Sequence, residues 1–558
     1  MLNKDQIIKS LSKATGLPES EIKLYFPERE EHGDYATNVA FHQSPITSHQ
    51  SPYQIAEKII EKLKTDKDLN KIVDKIEVAG PGFINFFLSK EALLDTLVDI
   101  NNEKDAFGKS DLLKGKRIMF EFGQPNTHKL PHIGHLFSYI YGASMTNILE
   151  LAGSKLRRVN YQGDIGPHVA KCLWAFERGN PSVPSTLEGK VNLLQKMYQK
   201  GAQAFEKDEK TKTEILEINK KIYLKKEPWF SLWQKTRGWN LEYYKKFEKR
   251  LGVSYDRYYF ESEVEEMGKK IVENNIGEVF EKSEGALIFK GSKVGLHDRV
   301  FVTKYGTPTY EAKDMYLQKL KMEEWPYDLL IITTAHEQNE YFKVVFKALG
   351  TLDTAYKGKL MHIGFGMVNL KSGKMSSRTG EIVSAVDLVD KVVEKVSQIN
   401  KDKKIAEAVG LGAVKYSFLK NNPLQDTKFD IEESIAQEGN SGPYLQYTHA
   451  RTQSVLRKAK PTNHQPPITN HALSAPELSV LRFLPRFPQI VENAAKTYSP
   501  NLICNYLFDL AQRYNNFYNS NRILGEKSEN FRLALTLAVG QILKTSLNLL
   551  GIKAPERM

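Results

Sequence analysis

The spacing of apolar side chains changes twice along the 558 residues, and each change marks a different kind of architecture. In the first hundred positions, residues 6–15 and 51–63 repeat at helical intervals. Residues 76–88, Ile-Glu-Val-Ala-Gly-Pro-Gly-Phe-Ile-Asn-Phe-Phe-Leu, read as two strands about a Gly-Pro-Gly turn. From 115 onward short solid apolar runs alternate with helical ones: a strand at 117–122, a helix at 131–152 with Pro131 in its first turn and Gly153 as its stop, and a strand at about 156–161. A β-α-β unit of this kind is the first half of a parallel sheet, which holds ligands at the carboxyl ends of its strands. An insertion rich in Lys, Glu and aromatics follows at about 167–293, with Trp229, Trp233 and Trp239 read as core. The sheet is expected to resume from 286, with a strand at 327–334, a helix at 336–349 and a strand at 360–369. Beyond 380 only helical spacing remains, at 405–419, 444–459, 478–495, 501–518 and 531–550, interrupted by a linker at 461–476.

A chain of this length exceeds a single core and implies three or four domains. It is 41% hydrophobic and 26% charged, as folded proteins are, and its formal net charge of +12 favours an acidic partner such as nucleic acid. Two cysteines, Cys172 and Cys504, are too few for a disulfide framework or a structural zinc site. With no apolar span of membrane length and no amino-terminal signal pattern, a soluble, cytoplasmic protein that does not engage membranes is expected.

Candidate chemistry concentrates at the start of the helix expected from 131. His132 and His135 are three apart and share a face beside Gly134, where unsatisfied N–H groups and the helix dipole favour an anion. Two imidazoles that donate to phosphate oxygens, and a glycine that lets a flat base approach, suit a triphosphate. Far downstream Gly373-Lys374-Met375-Ser376-Ser377-Arg378-Thr379-Gly380 sets two cations and three hydroxyls between glycines, a loop able to close on phosphates.

Together His-Ile-Gly-His and Lys-Met-Ser-Ser-Arg resemble the two nucleotide motifs of class I aminoacyl-tRNA synthetases, and nearly the whole chain resembles the arginyl-tRNA synthetases. His32-Gly33-Asp34-Tyr35-Ala36-Thr37-Asn38 and Gly82-Phe83-Ile84-Asn85-Phe86 are similar to that family's amino-terminal appendage, which contacts the tRNA elbow. The run 442–451, Gly-Pro-Tyr-Leu-Gln-Tyr-Thr-His-Ala-Arg, and the final Ala554-Pro555-Glu556-Arg557-Met558 resemble its anticodon-binding bundle. The resemblance implies an α/β Rossmann-type parallel-sheet catalytic domain at 106–430, an α+β amino-terminal domain at 1–105 and an all-α carboxyl-terminal bundle at 431–558. It implies that L-arginine and ATP give arginyl-adenylate, and that arginine then passes to the 3′ end of its tRNA. Catalysis would fall to His132, His135, Lys129 and Lys374, with ATP also held by Gly134, Met375, Ser376, Ser377 and Arg378. Magnesium would ride on ATP, with no metal held by the protein, and the chain would act as a monomer. Tyr444, Gln446, Tyr447 and Arg451 would meet RNA, whose unstacked bases are read by stacking and edge hydrogen bonds. Adenylate formation would require bound tRNA.

Arginine is a planar cation with five donors, so a specific pocket needs carboxylates and neutral acceptors around it. Tyr310 and Asp314, four apart, share a helix face, and Gln338 opens the next helix. These match the family's arginine-pocket tyrosine, aspartate and glutamine. Asn126 matches the asparagine that holds the α-amino group, and Glu121 and Glu261 match acidic positions of the pocket. The chain departs from the family at Phe137, commonly arginine, at Ile165, commonly tryptophan, and at Ser377, where many class I enzymes carry a lysine. Arginyl enzymes often lack that lysine and carry another before the first motif, here Lys129. No editing domain is required, because no other natural amino acid carries a guanidinium. A small nucleotidyltransferase would not need the insertion or the helical end, and a non-catalytic tRNA-binding relative would have lost the histidines. A metallopeptidase is countered by Glu340, which stands where the second zinc histidine of His336-Glu337-Gln338-Asn339 would fall.

Overall fold

The structure, a computed structural model, describes residues 3–42, 50–371, 384–459 and 472–558. Its middle is built on five parallel strands, here labelled β1 (Arg117–Glu121), β2 (Lys155–Gln162), β3 (Arg257–Phe260), β4 (Leu329–Ala335) and β5 (Leu360–Phe365). They lie side by side in the order β5-β4-β1-β2-β3. Helices cover both faces, which is why β1 and β4 are nearly continuous apolar runs rather than alternating ones. The chain moves outward from β1 to β2 and β3, then returns to place β4 on the other side of β1. A crevice opens at the carboxyl ends where that direction reverses.

The β2–β3 connection carries four helices, Pro167–Gly179, Leu187–Lys207, Glu209–Tyr223 and Trp229–Leu251. The insertion is therefore shorter than the expected 167–293, because β3 lies inside that range. At four residues, flanked by charge, β3 is too brief to stand out as a strand. Residues 286–289 belong instead to a separate antiparallel sheet, Glu281–Ser283, Ala286–Phe289 and Arg299–Val302. The three tryptophans pack as core: Trp233 is buried and its indole donates to the Asp164 carbonyl at 2.7 Å, while Trp229 and Trp239 lie against neighbouring helices. The strand expected over 360–369 is two strands. Val368–Leu370 leaves the sheet to pair with Thr427–Phe429, and the break falls at Gly366, where a Cβ would lie 2.2 Å from the Gln425 carbonyl.

The amino-terminal region is a three-stranded antiparallel sheet, with Phe83–Leu88 between Tyr35–Thr37 and Val73–Ala79, covered by helices Asn3–Thr15 and Pro52–Leu63. Its His32-Gly33-Asp34 run docks on the helical end of the chain. Asp34 is buried, accepts the Leu88 N–H at 2.8 Å and faces Arg482 at 3.3 Å, while Glu30 pairs with Arg513 and accepts the Ser479 hydroxyl.

Apart from the strand Thr427–Phe429, the described residues of that end are built on helices: Lys403–Leu419, Gly442–Lys458, Ala475–Phe483, Phe487–Thr497, Asn501–Ser520 and Glu529–Leu549. The single helix expected over 478–495 is broken, since Pro485 and Pro488 lack the N–H that a continuous helix needs there. Among the described residues no helix is long and apolar enough to cross a membrane.

Candidate active site

A cleft of about 720 Å³ occupies the crevice between β1 and β4. Glu121, Gly123 and Gln124 enter it from the end of β1, Tyr161 and Gly163 from β2, and Thr334 and Ala335 from β4.

One end is the start of the helix Ile133–Leu151. His132 is its N-cap in extended backbone, so the helix starts two residues later than expected and Pro131 precedes the cap instead of occupying the first turn. The cap is reciprocal. His132 Nδ1 accepts the Gly134 N–H at 3.1 Å, and the His132 N–H donates to His135 Nδ1 at 3.2 Å, with the two rings 3.8 Å apart. A nitrogen that accepts carries no proton, so each neutral ring keeps its hydrogen on Nε2. Although His132 is exposed to the cleft, the protein around it and then Lys129 draw its imidazole down to about 4, and burial, His132 and Lys129 hold His135 well below the ordinary value, so both rings favour the neutral form. The Lys129 ammonium lies 4.5 Å over the Tyr198 ring, on the insertion helix Leu187–Lys207, rather than on the cleft wall. Its loop is pinned from the same insertion, since the Tyr244 hydroxyl bonds the carbonyls of Asn126 and Lys129 at 2.7 Å each and Asn240 accepts the His128 N–H.

Lys374, Met375, Ser376, Ser377 and Arg378 lie outside the described residues. Ser384, just after them, bridges to His132, and Ala385 donates to the Pro131 carbonyl at 2.7 Å. Before them Val368 and Asn369 line the cleft. The described residues on either side of the second motif therefore stand near the first.

The other end is acidic. Asn126 Oδ1 and Glu261 Oε1 converge over Gly163: a Cβ there would lie 2.0 Å from the first and 3.2 Å from the second. Two acceptors over an open glycine make a cradle for an ammonium group. Asp164 fixes this corner by accepting both the hydroxyl and the N–H of Ser262, beside Glu261, and by pairing with Arg237. Most of the buried carboxylates are neutralised. Glu121 is paired with Lys321 and accepts the Gln124 amide, Glu261 is 3.0 Å from Lys313, and Glu311 is 3.0 Å from Arg299. The expected direct role of Glu121 is thus shared with an internal ion pair.

Asp314 differs. It is buried, with no cation within salt-bridge distance among the described residues, and its Oδ2 accepts the Tyr341 hydroxyl at 2.5 Å. Burial raises its carboxyl to about 7, opposed by the Tyr341 bond and reinforced by Glu121. Tyr310, half exposed, and Gln338, at the N-cap of Asn339–Leu352, complete the mouth. The helix expected from 336 starts there as a 3-10 turn, His336–Gln338.

Sequence reasoning missed Glu248, a buried carboxylate raised to about 7 by burial. It accepts Tyr258, Tyr139 and Asn160, and Asn160 in turn accepts the Gln124 N–H at 3.0 Å. Its only signal was a glutamate among apolar positions of an amphipathic helix.

In the carboxyl-terminal helices a second cleft of about 780 Å³ holds Tyr447, Arg451, Arg457, Lys458, Tyr518 and Arg522. The Arg451 guanidinium lies between the Tyr447 and Tyr518 rings, 5.0 and 4.9 Å from their centroids. Tyr444 is half buried and accepts the Asn515 amide. Gln446 is the exception to the expected RNA-facing set: it is fully buried, and its amide donates to the carbonyls of Ala408 and Lys553. Among the described residues no group of three His, Cys, Asp or Glu could hold a metal ion.

Comparison with known proteins agrees with this arrangement. Residues 97–431 match the family described as tRNA synthetases class I (R), catalytic domain, residues 445–558 the DALR anticodon binding domain, and residues 2–88 the arginyl tRNA synthetase N terminal domain. The arginine–tRNA ligase of Treponema denticola is 32% identical over 572 aligned positions, covering 97% of this chain and 95% of its own. That of Parabacteroides distasonis is 31% identical over 552, covering 92% of each. The solved Thermus thermophilus arginyl-tRNA synthetase superposes with a TM-score of 0.83 over the full length of both chains at 23% identity, which establishes the fold.

Proposed function

This chain belongs to the class I arginyl-tRNA synthetases, and from that premise we propose that its cleft joins L-arginine to tRNA at the expense of ATP. The observation that carries the reading is the polarity of the cleft. A helix start with two neutral imidazoles forms one end, and Asp314, a buried carboxylate with no cation in salt-bridge distance among the described residues, forms the other. A triphosphate suits the first and a guanidinium the second, which sets the arginine carboxylate between them.

The carboxylate attacks the α-phosphorus in line, the bond to the bridging oxygen breaks, and pyrophosphate leaves with the electron pair. The terminal ribose hydroxyl of tRNA then attacks the adenylate carbonyl and AMP departs. No protein nucleophile takes part, so catalysis is positioning and charge neutralisation. His132 and His135 offer Nε2–H donors, Gly134 opens the helix start to ATP, and Lys129 and Lys374 add positive charge. Met375, Ser376, Ser377 and Arg378 are assigned to ATP on the motif alone. A magnesium ion arriving on the triphosphate supplies further charge neutralisation.

Asn126 and Glu261 receive the α-ammonium group, while Asp314, Tyr310 and Gln338 surround the guanidinium, with Glu121 behind them. Tyr444, Tyr447 and Arg451 meet the anticodon region, and Gln446 instead ties that helix to the chain's end. The divisions 1–105, 106–430 and 431–558 remain our working domains. We also propose that the chain acts as a monomer in the cytosol, where its two buried, free cysteines would stay reduced.

A route for tRNA to control activation is also on hand. Helix Gly442–Lys458 packs on Lys403–Leu419, that helix on Ala385–Ile399, and the latter's N-cap Ser384 bridges to His132. A coupling of about 1–3 kcal/mol along such a route shifts a closed state roughly 5–150-fold. ATP–pyrophosphate exchange across the twenty amino acids, with and without tRNA, tests both parts. Exchange with arginine alone, and only when tRNA is present, is expected. Preference for another amino acid overturns the function, while full exchange without RNA removes only the coupling.

A further inference from the structure

The side chain of Tyr161 reaches into the acidic end of the cleft from β2. Side chains two apart on a strand share a face, and the parallel pairing runs on past β2 through the bridge between Gly163 and Asn126. Tyr161 therefore points to the side on which Asn126 and Glu261 converge over Gly163, one step deeper in the crevice. Its hydroxyl is buried and has no hydrogen-bond partner among the described residues. A buried hydroxyl left unpaired is costly and rare in folded proteins.

The surrounding charges say what would satisfy it. Burial acts first on this hydroxyl, and after it the negative charges of Glu261, Asp314, Glu121 and Asp164. Lys321 and Gln124 engage Glu121, Arg237 and Ser262 engage Asp164, and Lys313 engages Glu261 through Oε2, leaving Oε1. Tyr341 engages Asp314 through Oδ2, leaving Oδ1. A cation is the ligand such surroundings accept, and a cationic nitrogen brings only donors. A hydroxyl can accept one of them and turn its own proton to a free carboxylate oxygen. A guanidinium has five N–H donors, more than one carboxylate can accept, and Tyr161 lines the same cleft as Asp314.

We infer that the Tyr161 hydroxyl is a further specificity-determining contact of this site, accepting an N–H of the arginine guanidinium. This rests on the reading of the cleft as an arginine site. The test is equilibrium binding by the full chain, in wild-type form and as Tyr161→Phe, which keeps the ring and its packing. The ligands are L-arginine, 5-guanidinopentanoic acid, which lacks the α-ammonium group, and ATP. Loss of a hydrogen bond to a charged group weakens binding by about tenfold to a hundredfold. The variant should show that loss equally for arginine and for 5-guanidinopentanoic acid, with ATP affinity unchanged. Equal arginine affinity in the two proteins overturns the inference, as does a loss confined to arginine, which would move the contact to the ammonium group. Failure of the wild-type protein to bind arginine at all would instead overturn the functional reading.

Discussion

Arginine binding should release a proton, and the group that loses it should be Asp314. In the free protein burial raises this carboxyl to about 7, with the negative charge of Glu121 adding to the rise and the Tyr341 hydroxyl, its one hydrogen-bond donor among the described residues, opposing it. A guanidinium placed beside it stabilises the ionised form, so the folded chain binds fewer protons with arginine than without. The sign follows: affinity rises with pH through 7. For a single group at about 7 the apparent Kd exceeds its limiting value about elevenfold at pH 6, about twofold at pH 7 and hardly at pH 8. Close to half a proton should leave per arginine bound at pH 7. Calorimetry at these three pH values, in buffers of different ionisation enthalpy, reads both quantities. His132 titrates at about 4, below this window, while Glu248 also stands at about 7 and needs a control. Asp314→Asn provides it by weakening arginine roughly 10–150-fold, the scale of a charged hydrogen bond, and by flattening the pH profile. A wild-type Kd independent of pH, with no proton released, would refute the reasoning, as would a pH dependence that survives in Asp314→Asn.

Other outcomes follow from the same geometry. His132→Ala or His135→Ala should cut adenylate formation by about 10²–10³, the usual cost of one donor aimed at transition-state charge, and single-turnover rates near wild type would discard that assignment. Gly163→Ala places a Cβ 2.0 Å from Asn126 Oδ1, so the KM for arginine should rise roughly tenfold or more with that for ATP little changed. Equal increases for both substrates would mean a general distortion. Binding of tRNA should weaken steeply with salt, given a net charge of +12, and Arg451→Ala should make the log–log slope shallower by about one unit if that side chain meets a phosphate.

The helix-start end of the cleft was legible in the sequence because its geometry is local. His132, Gly134 and His135 are contiguous with their own helix start, and the cap they form depends on nothing distant. The acidic end was legible only as a set of residue types. Which carboxylate stays without a cation depends on pairs far apart in sequence, Glu121 with Lys321 and Glu261 with Lys313, and no periodicity reveals them. The same holds for Tyr244 and Glu248, which support the first-motif loop from an insertion more than a hundred residues away. Element boundaries failed where a local rule competed with the apolar period. Pro485 broke a helix that the spacing continued, Gly366 ended a strand because another backbone passes close by, and β3 was hidden by its length. Gln446 sits between two residues expected to meet RNA, yet it faces inward, because Lys553 and Ala408 present carbonyls there.

Above all, we propose that this cleft selects a guanidinium and passes its amino acid to tRNA. The most direct measurement is charging of arginine tRNA by the purified chain with ATP and labelled arginine, lysine or citrulline, compared as kcat/KM. Citrulline keeps the shape of arginine without its charge, and lysine keeps the charge without the planar donors. A site whose buried acceptors need those donors rejects such analogues by roughly 10⁴-fold or more. Efficient charging with arginine and rejection of both analogues on that scale is the predicted result, whereas comparable charging with citrulline or lysine would contradict it.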